Sequence, residues 1–132
     1  MKLYHFTALE RLPSIERHGI AQGDVPISIT GGYNAPWFTA DPNAGNQGWA
    51  GALGSHKTGL RLTVNIPDGD PKLKKWTDIT AEEIEKQPNE EGKAYLKRWY
   101  EALNNTGSGG QDNWYVYHGI VPYKWVEKDE LV

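Results

Sequence analysis

The sequence predicts a single α+β domain spanning residues 1–132, and three observations lead there. Residues 59–66 and 114–121 read as strands, the first alternating apolar and polar side chains with a period of two. Helix-start signals open the stretches at 7–18 and 80–103. No linker or internal repeat divides the chain, so helices are inserted between short strands of one unit. A domain of this length buries about two thirds of its extended surface, enough for one core without staples.

Taken in order, residues 2–6 form a first strand. Thr7-Ala8-Leu9-Glu10 has the spacing of a capping box, in which the Thr7 hydroxyl and the Glu10 carboxylate satisfy free backbone donors. Pro13 fits the first turn of a short second helix over 14–18, which Gly19 stops in a left-handed conformation. Ala8, Leu9, Leu12, Ile15 and Ile20 pack inward. Gly23, Pro26 and the Gly31-Gly32 pair make 21–35 a loop. A short strand follows at 36–40, then a weak helix opened by Asp41-Pro42 and running to 47. In the strand at 59–66, Leu60, Leu62, Val64 and Ile66 share one face, and Arg61, Thr63 and Asn65 the other. Pro67-Asp68-Gly69-Asp70 turns the chain. Thr80-Ala81-Glu82-Glu83 is a second capping box, and Pro88 separates its helix from a longer one at 89–103. On that helix Tyr95, Trp99, Ala102 and Leu103 form a stripe. Residues 104–110 are a polar loop. Pro122 interrupts the strand at 114–121, and Trp125-Val126 pair at an edge.

Composition narrows the function. Without cysteine there is no disulfide, thiolate metal site or cysteine nucleophile. A net charge of −3 gives no global basic field for nucleic acid, which leaves only a local basic face. No apolar run reaches the length of a membrane span, and the first residues carry no signal-peptide core, so a cytoplasmic protein with no membrane partner is expected. Lys128-Asp129-Glu130-Leu131 resembles a retention signal, but Val132 follows it. His5, His18, His56 and His118 lack metal-ligand spacing, and no metal is expected. Neither a nucleophile elbow nor a phosphate-binding lysine loop occurs.

Two constellations remain. His5 ends a strand beside Thr7 at a helix start, where free amides and a positive dipole end favour a ligand; an imidazole and a hydroxyl suit a ribose diol. A half-buried structural histidine is the plainer reading. Trp37 and Trp49 flank the strand-to-helix junction, and a planar ring such as nicotinamide would stack there. With six Trp and seven Tyr beside two Phe, the aromatics suit either a flat ligand or the core of a small, loop-rich domain. Arg61, on the polar side of its strand, would meet a pyrophosphate or nucleic-acid phosphate, or simply solvent.

Leu3-Tyr4-His5-Phe6-Thr7, followed by Leu12-Pro13-Ser14-Ile15 and His18-Gly19, resembles the opening of ADP-ribosyltransferase-fold proteins. It is most similar to DarT-type DNA-modifying toxins and more distantly to poly(ADP-ribose) polymerase catalytic domains. The resemblance implies two small packed, mostly antiparallel sheets with NAD, as substrate, in the cleft between them. It assigns His5 to the NAD ribose and nicotinamide amide, Phe6 to backbone contacts and Thr7 to the ribose. Trp37-Phe38-Thr39-Ala40-Asp41 and then Trp49 match the next signature, which puts Trp37, Thr39 and Trp49 in the NAD site, with the two indoles around nicotinamide. The third signature, a glutamate before a late strand, falls on Asn113, with Asp112 one register away; here the pattern departs, because asparagine carries no charge. The activity implied is transfer of ADP-ribose to a DNA, RNA or protein acceptor by a toxin or phage-type effector. A non-catalytic nucleotide- or partner-binding module and an RNA 2′-phosphotransferase-like enzyme are the alternatives.

Overall fold

The computed structural model describes residues 1–27, 31–43, 59–105 and 111–132. In chain order the strands are β1 Lys2–Thr7, β2 Asp24–Pro26, β3 Gly32–Asn34, β4 Trp37–Thr39, β5 Leu60–Asn65, β6 Leu73–Lys75, β7 Trp114–Tyr117 and β8 Val126–Leu131. The helices are α1 Leu12–His18, α2 Trp76–Glu85 and α3 Glu90–Asn105. Six strands form one sheet in the order β6-β7-β4-β1-β5-β8, and β2 and β3 pair separately. Every pairing is antiparallel.

The α+β class holds, but the expected pair of packed sheets takes another form. Two three-stranded halves, β6-β7-β4 and β1-β5-β8, stay within one sheet and are joined at a single residue pair, Tyr4 opposite Thr39. Each face of the sheet has its own core, because side chains alternate across it, and the first core runs under both halves. Leu3, Phe38, Leu62 and Val64 lie under Ile15 of α1 and against Ile20 and Val121. On the opposite face, Val116 packs with Trp76 and Ile79 of α2, and with Leu96 and Tyr100 of α3.

Local signals are overridden where burial demands it. The strand predicted at 2–6 forms and runs one residue further, and the alternation of 60–66 and the left-handed Gly19 (φ 82°) stopping α1 are as the sequence predicts. Neither capping box forms. Thr7 remains in β1, and Ala8 precedes a 3-10 turn over Leu9–Arg11 with no side-chain cap. Leu9 is exposed. Thr80 sits inside α2, its hydroxyl donating to the Thr77 carbonyl at 3.1 Å, because the helix starts four residues earlier to bury Trp76 and Ile79. The buried stripe of α3 is Leu96 and Tyr100, flanked by Trp99 and Leu103; Tyr95 and Ala102 face outward. Strands β2, β3 and β6 hold three residues each, too few to show a period. β7 ends at Tyr117, and Val121 makes an isolated bridge to Ile20. The last strand runs through the retention-like tetrapeptide along β5. Of the expected helix from 41 to 47, residues 44–47 lie outside the described residues.

Candidate functional site

The parting of β1 from β4 creates the site. A continued ladder would set Phe6 opposite Trp37, but the strands separate after the Tyr4–Thr39 pair. The His5 imidazole bridges the gap, its Nδ1 lying 2.7 Å from the Trp37 carbonyl oxygen. A carbonyl only accepts, so Nδ1 carries the ring proton and Nε2 keeps a lone pair. The ring lies 5.3 Å from Phe38, tilted by 45°.

Burial lowers the His5 pKa from 6.5 to about 4, outweighing the opposite effect of the Trp37 hydrogen bond; the charge of Arg11 lowers it further. The imidazole is therefore neutral near pH 7. Because the folded value lies below the unfolded one, the unfolded chain binds the proton first as pH falls. The contribution is fully present above pH 6.5 and is lost as pH drops towards about 4, for a total of about 3 kcal/mol. Urea unfolding of the wild type and of His5→Asn, which keeps a donor but does not titrate, should diverge by that amount on acidification. Parallel pH curves would contradict the burial.

Two adjoining hollows open at the split. The smaller, about 150 Å³, has Tyr4, His5 and Phe6 on one side and Trp37, Thr39 and Trp114 on the other. A cavity of that volume takes one aromatic ring. The larger, about 440 Å³, shares His5, Phe6, Gln22 and Gly23 with it and continues past Thr7 to α1. Arg11, Ser14, Ile15 and His18 line it at helical spacings of three, four and seven, opposite Asp24 and Asn34. The pair has the volume and mixed lining of a small-molecule cleft.

The aromatic wall is held in place. Trp37 meets Trp76 edge-on at 4.9 Å and Trp114 at 5.7 Å, and its Nε1 donates to the Asp24 carbonyl at 2.8 Å. Asn34 ties down the segment between the hollows. Its Oδ1 accepts from the Gly23 amide at 3.0 Å, and its Nδ2 donates to the Ala21 carbonyl at 2.9 Å. Gly23 is required by close approach: a Cβ there would sit 2.3 Å from the Ala35 carbonyl oxygen, whose own amide donates to Gly23. Gly23→Ala should cost about 2 kcal/mol in urea unfolding and weaken ligand binding at the cleft. Full stability in that variant would contradict this packing.

The predicted residues divide between the cleft and elsewhere. His5, Phe6, Thr7, Trp37 and Thr39 line it, and the Thr39 hydroxyl accepts from the Asp41 amide at 3.1 Å. Arg61 stands on the other face of the sheet from His5, since it pairs with Phe6. Its guanidinium donates to the Pro42 carbonyl at 2.7 Å and to Glu130 at 3.0 Å, and lies 5.8 Å from the Tyr4 ring centroid. Hydrogen bonds from Arg61 and Lys128 hold the Glu130 carboxyl below its ordinary value. Asp112 and Asn113 are exposed in the 3-10 turn before β7 and line neither hollow; the Asn113 carbonyl accepts from Ala40 at 2.9 Å. Trp49, His56 and Lys57 lie outside the described residues. Trp114, Arg11 and Asp24 were not singled out by sequence. The spacing of Arg11, just before α1, from Ser14, Ile15 and His18 on the helix carried the signal for Arg11, whereas nothing local marked Asp24.

Among the described residues, no group of three or more His, Asp or Glu is placed to hold a metal ion, and no helix is long and apolar enough to cross a membrane. The chain matches no protein-family model, no curated protein and no solved structure.

Proposed function

We propose that this cleft binds NAD and that the protein, with an ADP-ribosyltransferase-like fold, transfers ADP-ribose from it to a macromolecular acceptor, as a toxin or phage-type effector would. The observation that carries this reading is that His5 and Trp37, singled out separately in the sequence, line one ring-sized hollow that opens into a nucleotide-sized one. Nicotinamide occupies the smaller hollow beside Trp37 and Trp114. The ribose lies at the junction, where Nε2 of neutral His5 accepts from a hydroxyl and the buried Thr7 hydroxyl adds a second contact. The remainder of the dinucleotide extends along α1, where Arg11 offers a cation to the phosphates. Rigid walls orient the glycosidic bond before it breaks.

The purified chain incubated with labelled NAD and a cell lysate should release nicotinamide and label a macromolecule. Titration calorimetry with NAD should show saturable heat. Heat without consumption of NAD would favour the non-catalytic binding module, which the asparagine at 113 supports. Absence of both heat and nicotinamide would end the NAD reading.

A further inference from the structure

We propose that Asp24 is the carboxylate that faces the reacting carbon of the nicotinamide ribose, supplying the negative charge that Asn113 does not carry. This rests on the reading of the cleft as an NAD site. Asp24 is the one carboxylate among the described residues that lines either hollow. It directly follows Gln22 and Gly23, which together with His5 and Phe6 form the boundary shared by the two hollows. A dinucleotide with its ring in the smaller hollow and its phosphates in the larger one places its glycosidic bond at that boundary. The Asp24 backbone is fixed by pairing with Asn34 across the β2–β3 hairpin and by the Trp37 indole on its carbonyl. Its carboxylate makes no hydrogen bond or ion pair with the described residues. A group so placed serves the fold through its backbone and leaves its charge for a ligand.

The chemistry needs such a charge. The bond from C1′ to the nicotinamide nitrogen breaks, and its electron pair leaves with nicotinamide, which becomes neutral. Positive charge spreads over C1′ and the ribose ring oxygen, opposite the Asp24 carboxylate. A hydroxyl of the acceptor, or water in its absence, forms the new bond to C1′ and releases its proton to solvent.

The test compares wild type, Asp24→Asn and Asp24→Glu as full chains, with NAD as the only substrate and water as acceptor. It reads nicotinamide release for kcat and KM, and calorimetry for the Kd of NAD. Asp24→Asn should bind NAD within about threefold of wild type and lose about a hundredfold in kcat, while Asp24→Glu recovers at least about tenfold of that loss. The exposed, isosteric change should leave the thermal midpoint in place. If the wild type turns over and Asp24→Asn keeps kcat, or loses affinity and kcat in equal measure, the assignment to the reacting carbon falls and the NAD reading stands. If the wild type binds NAD but never releases nicotinamide, the catalytic role falls and binding stands. If the wild type neither binds nor cleaves NAD, both readings fall together.

Discussion

Nicotinamide release by His5→Ala is expected to fall by about a hundredfold or more, because one ring performs two tasks that the substitution removes together. Nδ1 saturates the Trp37 carbonyl where the ladder between β1 and β4 stops, and Nε2 keeps the lone pair that the proposed NAD site would offer to the ribose. Alanine leaves a backbone carbonyl without its partner, at a cost of about 1–3 kcal/mol if water does not reach it. It also enlarges the hollow, so a bound ribose loses its register. His5→Asn separates the two tasks. Its amide places a donor near the Nδ1 position but nothing where Nε2 was, so stability at neutral pH should be largely kept while NAD binding and cleavage are lost. Because His5 is neutral down to about pH 4, binding of NAD should show no step near the ordinary imidazole value of 6.5. Cleavage by His5→Ala at the wild-type rate would remove this residue from the mechanism.

Phe38→Ala should lower stability by about 4 kcal/mol, a large share of the total for a domain of this size. Phe38 is fully buried at the centre of the sheet, within the core built on Leu3, Leu62 and Val64, and its ring supports the His5 imidazole. The alanine variant opens a cavity under both halves of the split sheet at once, where neither half can close it without moving the other. Phe38→Leu, which keeps most of the volume, should lose much less. Urea unfolding with an unchanged m-value measures the difference. A loss below about 1 kcal/mol in the alanine variant would mean that this face is not the core.

Much of the cleft was legible because its residues sit next to strong local patterns. His5 ends the first predicted strand, Thr7 follows it at a predicted helix start, and Trp37 and Thr39 belong to a short aromatic run; each could be named without knowing what it faces. Arg61 was equally conspicuous, yet it lines neither hollow, because the Pro42 carbonyl and Glu130 from the far end of the chain claim its guanidinium. No local rule reveals a partner 69 residues away. Asp24 and Trp114 show the converse. Nothing local marks either as facing a ligand, and they enter the cleft because a hairpin and a late strand converge on the gap beside β1.

The sequence by itself determined the α+β class of the domain, the alternation of the strand at 60–66 and the glycine stop of α1. Those follow from dihedral preference and periodicity, which act over a few residues. Tertiary structure alone decided where α2 begins, that the sheet remains one piece with a split in it, and which charged groups stand at that split. Such choices depend on burying Trp76 and Phe38 and on pairing strands distant in the chain, free energies that exist only once the whole core has closed.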